Sequence, residues 1–364
     1  MISKKVGIVE SIVGRTYGMD DIRVNINGEI QKAYNYSKMT GNINIGDEVV
    51  LNTTAVELSL GTGGYHFVIS NLNNLESDLT EGGHIMKLRY TPFQVKVDSV
   101  EEQDSIYHEK IEKFSSLDNM PVVVATLHSM LTPFVASFKK NNPTKKLVYI
   151  MTDGAALPMY LSKNVDTLKN KGLIDSTITI GNAFGGDHEC INIYTALITA
   201  KEILNADAVF VSMGPGISGT GTKYGFTGIE QGPILDAVKK LGGMPIAIPR
   251  ISFADKRERH IGISHHSMTV FKDIVNVDVN IPITIYENEK LNHIKGQIKD
   301  NDIESKHNIV YIDNNNTKED LDHFSLKVRS MGRNYEQDKE FFEAASTAAY
   351  YLMEVCDGSR RENY

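Results

Sequence analysis

Short runs of alternating apolar and polar positions dominate the first 70 or so residues, a period-two pattern that predicts strands. Residues 6–13 are β-rich, 22–26 alternate, and Asn27-Gly28 is a two-residue hairpin signal. Residues 29–37 read as the returning strand and 45–51 as a turn and strand, while Gly61-Thr62-Gly63-Gly64 leads into 65–69. About five short strands joined by tight turns predict a small β-barrel of the OB or SH3 kind over residues 1–72. No face carrying both aromatic and basic residues is evident, so a docking or oligomerisation module is expected ahead of a nucleic-acid binder. Residues 73–118 read as a bridge packing on the main domain, with an alternating strand at 93–100.

From Met120 the pattern changes. Continuous apolar runs at 122–126, 147–152, 177–180, 208–212 and 244–248 are separated by helix-like stretches near 131–140, 158–170, 191–204 and 229–241. Buried strands alternating with helices predict a mostly parallel sheet covered on both faces. The expected fold class is therefore α/β: the N-terminal barrel, then a three-layer α/β/α Rossmann-like domain over 119–364 with a helical C-terminus. In the tail, 274–281 alternate like a strand, 286–307 are charged and helix-like, and 308–313 form a further strand. Residues 319–331 and 337–355 read as helices. The last helix is rich in alanine and aromatics, which suits packing on the sheet or on a partner subunit of a homo-oligomer.

Composition narrows the class. The chain is 41% apolar and carries a net charge of −8, which argues against a general nucleic-acid binder. The two cysteines, Cys190 and Cys356, suggest reduced thiols and cannot build a four-cysteine zinc site. Met1-Ile-Ser-Lys-Lys-Val-Gly7 lacks an apolar signal core, and no apolar run approaches the ~18 residues of a membrane span. A soluble cytoplasmic protein without a membrane partner is expected.

Candidate chemistry gathers after the strands of the α/β region, where open sheets bind ligands. The strand at 208–212 runs into Gly214-Pro-Gly216-Ile-Ser218-Gly219-Thr220-Gly221-Thr222, whose bare N–H groups can hold an anion. Gly214, Gly216 and Gly219 match G-x-G-x-x-G, but no helix starts inside the motif, so a dinucleotide site is not expected. The structural alternative is a tight turn that needs glycine. Asp153, after the second strand, suits a metal, a ribose or a proton, and equally a helix cap. In Gly181–Glu189, Asp187 and Glu189 are candidate ligands or acid/base groups, or carboxylates at a helix start. Arg250, Arg257 and Arg259 suit phosphate or carboxylate capture, and His260, His265 and His266 suit proton transfer or metal binding. The adjacent pair His265-His266 is expected to send only one ring into a site, since strand neighbours face opposite ways. His128, also at a strand end, reads first as a structural histidine. No H-E-x-x-H, G-x-S-x-G or P-loop sequence is present.

These segments together resemble the bacterial family named domain of unknown function 3866. The resemblance rests on Asn52-Thr-Thr-Ala55, Leu60-Gly-Thr-Gly-Gly-Tyr65, Lys87-Leu-Arg-Tyr-Thr-Pro92, Tyr149-Ile-Met-Thr-Asp-Gly-Ala-Ala-Leu-Pro158 and Ala183-Phe-Gly-Gly-Asp187. Gly214-Pro-Gly216, Gly219-Thr-Gly-Thr222, Arg257-Glu-Arg-His260, Ser264-His-His-Ser267 and Ser330-Met-Gly-Arg333 extend it. The family implies no assigned reaction. Its pattern varies where His188 stands, which shifts weight to Asp187 and Glu189.

The leading expectation is an enzyme binding a small phosphorylated or carboxylated metabolite. Residues 214–222 with the three arginines would hold the anion. Asp153, Asp187 and one histidine would move protons or hold a divalent cation, with Asp153 and Asp187 as metal candidates and Mg²⁺ the better match to carboxylates. The rivals are a non-catalytic sensor or scaffold whose barrel docks a partner, and an RNA-associated protein using the barrel.

Overall fold

The computed structural model describes residues 1–61 and 63–356. They form two compact units: Met1–Val97 with Tyr160–Asp166, and Asp98–Met159 with the chain from Thr167 onward. The division between the units falls at Val97, within the 73–118 segment.

The first unit holds β1 (Lys4–Thr16), β2 (Met19–Ile26), β3 (Glu29–Asn35), α1 (Ser37–Thr40), β4 (Glu48–Asn52), α2 (Thr54–Glu57) and β5 (Tyr65–Asn71). The strands close a barrel in the order β1-β2-β3-β5-β4, with β3 and β5 parallel, a Greek-key arrangement of the OB kind. Val9, Ile22, Val24, Ala33, Val49 and Leu51 fill it, which accounts for the alternation. Asn27 and Gly28 have φ of 55° and 92°, the left-handed pair that a type I′ hairpin requires. An aromatic face does exist. Pairing of β3 with β5 stacks Tyr34 on Tyr65 at 4.0 Å and sets Tyr36 against Phe67 at 5.9 Å. Lys32 lies over the Tyr65 ring. Tyr160 and Leu161 pack on this cluster, so the unit's own returning segment occupies it. The expected strand at 93–100 shortens to β7 (Val95–Val97), paired with β6 (Ile85–Lys87). Beyond it, Ser99 N donates to Glu102 Oε1 and Val100 N to Glu189 O.

The second unit runs α3 (His108–Glu112), β8 (Pro121–Val124), α4 (Leu131–Asn141), β9 (Leu147–Thr152), the part of α5 (Lys163–Asn170) from Thr167 onward, β10 (Ser176–Thr179), β11 (His188–Glu189), α6 (Ile193–Ile198) and β12 (Ala208–Met213). It continues with α7 (Gln231–Lys240), β13 (Met244–Ala247), β14 (Ile251–Ser252), β15 (Gly262–Ile263), α8 (His265–Thr269) and β16 (Asn280–Thr284). It closes with α9 (Asn288–Asp300), β17 (Asn308–Ile312), α10 (Thr317–His323), β18 (Arg329–Ser330), β19 (Arg333–Asn334) and α11 (Lys339–Cys356). Eight strands form one sheet in the order β11-β10-β9-β12-β8-β13-β16-β17, every neighbouring pair parallel.

Strand periodicity divides the core. Val122, Val124, Val148, Ile150, Val209 and Val211 pack with Leu197 of α6, Leu235 and Val238 of α7 and Ile294 of α9. On the opposite face Phe210 meets Phe134 of α4 at 4.9 Å. There α11 is tied to α4 by Ser137–Ser346 and to β16 by Thr284–Thr347 hydroxyl contacts. The C-terminal helix thus packs on the sheet. Residues 274–281 are not a strand: a π-helical turn, Val270–Ile274, extends α8, and pairing begins at Asn280. Val275 and Val279 are buried there, so the alternation reports one-sided burial without a ladder. The helix expected at 319–331 stops at His323 and gives way to the β18–β19 hairpin. No helix among the described residues is long and apolar enough to cross a membrane.

Candidate functional site

Because the strands are parallel, the loops after β8, β9, β12 and β13 leave from one sheet edge. There β12 ends at Met213 and the chain passes tightly under the β9 loop. A side chain on Gly214 would begin 2.3 Å from the Ala156 carbonyl oxygen, and Ala156 N donates to Pro215 O at 3.1 Å. Beyond it, residues 218–227 fold on themselves. Thr220 N donates to Gly225 O, Thr227 N to Ser218 O, and Ser218 N to the Thr227 hydroxyl. The Ser218 and Thr220 N–H groups are therefore not bare, and those of Gly219 and Gly221 have no partner among the described residues. The Thr220 and Thr222 hydroxyls bond each other at 2.9 Å.

After β13, Arg250 and Ser264 flank the β14–β15 ladder, which brings the 253–261 loop back over Arg250. Arg250 is 5% exposed. Its Nη2 donates to Asp255 Oδ2 at 2.9 Å and its Nη1 to His260 Nδ1 at 2.7 Å. Arg257 adds two bonds to Asp255, and Arg333 stands 3.9 Å from the same carboxylate. Arg257 first, then Arg250, hold Asp255 well below the usual carboxylate range. Arg333 also donates to Asp338, which accepts from Ser252. Arg259 is exposed, makes no ion pair with a described residue, and lies 3.8 Å from where a Gly221 side chain would begin.

The three histidines converge. His265 and His266 open α8 rather than a strand, so both rings reach His260, with centroids 4.9 and 5.3 Å away. This corrects the expectation of a single inward ring, because a helical first turn does not send neighbours to opposite faces. One ring nitrogen from each residue lies within 4.8 Å of the others. Phe226 stacks on His266 at 4.0 Å, which joins the glycine loop to the cluster. Burial, then the adjacent arginines, lowers His260 to about 3. Burial and then His265 lower His266 to about 4, and burial and Arg259 lower His265. All three are neutral at pH 7.

The β9 end forms a second group. Glu230, at the start of α7, accepts from the Thr152 hydroxyl at 2.5 Å, and burial raises it to about 7. Asp153 is exposed and accepts from Asn182 N. Two buried polar atoms at this edge, Thr126 Oγ1 and Gln231 Oε1, have no partner among the described residues, although Gln231 Nε2 donates to the Val124 and Ile248 carbonyls.

Asp187 and Glu189 are held elsewhere. A parallel β11 must restart level with β10, so the chain runs back and sets Asp187 beside Thr177, near the amino end of β10. Asp187 accepts from Thr177 N and Oγ1 and pairs with Lys169. Glu189 accepts from Thr179 Oγ1 and Gly185 N. Asp153 bonds beyond the carboxyl end of β10, so Asp153 and Asp187 do not form a joint metal site. His128 is buried against the Tyr149 hydroxyl, and burial lowers it to about 4. Asp255, Glu230 and Arg333 were not singled out from sequence, although Arg333 ends the Ser330-Met-Gly-Arg333 motif. In the second unit a surface cleft lined by Gln103, His108 and Lys110 involves none of these edge residues, and the first unit carries a cleft of its own.

Barrel and parallel sheet together define a mixed α/β protein with a polar, arginine-rich cluster at the carboxyl edge of the sheet. The chain belongs to the family described as "Protein of unknown function (DUF3866)", whose model matches residues 32–349. No curated protein and no solved structure matches it.

Proposed function

We propose that this is a cytoplasmic enzyme acting on a small phosphorylated or carboxylated metabolite bound at the carboxyl edge of the α/β sheet. Arg259 carries the reading: an exposed guanidinium without an ion pair, beside the Gly219–Gly221 backbone. Around it, Arg250, Arg257 and Arg333 share Asp255, with Asp338 as the second carboxylate, so positive charge is in excess. Planar guanidiniums and bare N–H groups are the donors that phosphate and carboxylate oxygens take. Glu230, near its midpoint at pH 7, can give or take a proton, and the neutral histidines present nitrogen lone pairs to a bound group. In this reading the arginines and loop bind the anion, Glu230 transfers the proton, the histidines offer neutral lone pairs, and Asp153 positions Asn182 and the β9 loop.

A thermal-shift screen with inorganic phosphate, sugar phosphates, nucleotides and carboxylates tests this. A ligand at a hundred times its dissociation constant stabilises by about 2.7 kcal/mol. Arg259→Ala is expected to weaken the best ligand at least about tenfold while leaving the unliganded melting temperature unchanged. No stabilisation by any anion would overturn the reading. Binding without turnover would leave the non-catalytic sensor in its place.

A further inference from the structure

We infer that His260, His265 and His266 form a binding site for one divalent transition-metal ion of the Zn²⁺ class, open toward the glycine loop. Imidazole nitrogen is a preferred ligand of such ions, and three protein ligands with one open position is the arrangement of reactive zinc sites. The three nitrogens lie within 4.8 Å of one another. Zn–N bonds of 2.0–2.1 Å in a tetrahedron need about 3.3 Å between ligand atoms, a contraction within reach of small ring rotations. His265 Nε2 is buried and has no hydrogen-bond partner among the described residues, which is costly for a polar atom unless something binds it.

The outer contacts are those a metal-ligating histidine uses. His260 Nδ1 lies 2.7 Å from Ser264 Oγ and 2.7 Å from Arg250 Nη1. Ligation through Nε2 requires the ring proton on Nδ1, donated to Ser264; Arg250 Nη1, which donates to Nδ1 in the metal-free protein, then turns to the Ser264 hydroxyl 3.4 Å away, while Nη2 stays on Asp255. Ser264 also caps α8 by accepting from His266 N, so one hydroxyl orients two of the ligands. Phe226 fixes the third dimension of the site by stacking on His266.

The arginines oppose a bare dication, so the metal is expected to bind together with an anion in the open position. This coupling rests on the anion reading above, whereas the binding of metal to the histidines does not. Linkage then requires each to tighten the other by the same factor.

Full-length protein, stripped with a chelator, would be titrated with Zn²⁺ by equilibrium dialysis and with Co²⁺ by visible absorption, with and without inorganic phosphate. The expected result is one ion per chain, a Co²⁺ spectrum of nitrogen-ligated tetrahedral type, and at least roughly fivefold tighter Zn²⁺ binding with phosphate. His265→Ala and His266→Ala should each lose at least about tenfold in Zn²⁺ affinity and lose the Co²⁺ spectrum, with unchanged circular dichroism. His265 is the safer variant, since its removal disturbs no stacking on Phe226. No uptake by the wild type, or equal uptake by both variants, would overturn the inference. Phosphate binding to metal-free protein, with no metal uptake, would overturn it too but leave the anion site standing. Zn²⁺ held by the histidines without any phosphate coupling would support the metal site and overturn the coupling to an anion.

Discussion

Three histidines in this site are neutral for one reason: burial beside guanidiniums makes the imidazolium costly. Unfolding releases them to an ordinary value near 6.5. As pH falls through about 6.5 the unfolded chain takes up protons that the folded site refuses, so stability drops. Glu230 works in the opposite direction. Its folded value of about 7 lies above the unfolded one, so its contribution is present at low pH and lost as pH rises from about 4.5 to 7. These three histidines, with His66, His128, His188 and His307 also lowered, outweigh the raised carboxyls of Glu230, Asp338 and Glu343 and predict net destabilisation below pH 6.5, readable from urea midpoints between pH 8 and pH 5. Glu230→Gln should gain on the wild type as pH rises through that window and level off above about pH 7, by roughly 3 kcal/mol at most. A difference that does not change with pH would remove the buried-acid reading of Glu230. Asp187→Ala should cost about 1 kcal/mol through the lost Thr177 and Lys169 bonds, yet leave anion binding at the wild-type value in the thermal-shift assay.

Loops, more than strands, determine what the elements present. Gly214 permits β12 to pass beneath the β9 loop, because any Cβ there would overlap the Ala156 carbonyl. Gly214→Ala should therefore destabilise by about 1–3 kcal/mol or more and separate the two loops. Gly216 has φ of 107° but open space around it, so Gly216→Ala should cost only the backbone term of about 1–2 kcal/mol. Denaturant melts of the pair check the ranking, and equal losses would mean that the close approach to Ala156 is dispensable. At the start of α6, Asn192 accepts from Tyr194 N and Thr195 N in a capping box, which stops the preceding loop sharply. Short elements of this kind, β14 and β15 above all, bring Arg250 and Ser264, 14 positions apart, back together.

At the scale of the molecule the chain leaves the barrel unit after Val97 and returns to it for Tyr160–Asp166. Tyr160 lies 5.9 Å from Tyr17, and a Cβ on Gly18 would sit 2.8 Å from the Tyr160 ring. A fragment starting at Asp98 would thus carry Tyr160 and Leu161 without the barrel residues that cover them. Such a fragment should aggregate when expressed alone, and Tyr160→Ser with Leu161→Ser should restore solubility, as judged by size-exclusion chromatography. A soluble, monomeric wild-type fragment would show that this apolar pair needs no cover. The occupied aromatic face also weakens the RNA reading of the barrel, since base stacking needs exposed rings.

Periodicity alone determined much of this protein. Alternation in the first 70 or so residues, with Asn27-Gly28, specified a small barrel, because a half-buried strand has period two whatever its partners. Continuous apolar runs between helical stretches specified a covered parallel sheet, and glycines, arginines and histidines after those runs pointed to its carboxyl edge. Pairing and approach were decided only in three dimensions. The aromatic face required the parallel β3–β5 register, the return of β11 placed Asp187 away from that edge, and the helical turn at His265 turned two rings toward His260. A sequence records which residues are apolar or reactive. Which of them meet depends on strand order and on where short loops reverse, and those are set by the packing of the whole chain.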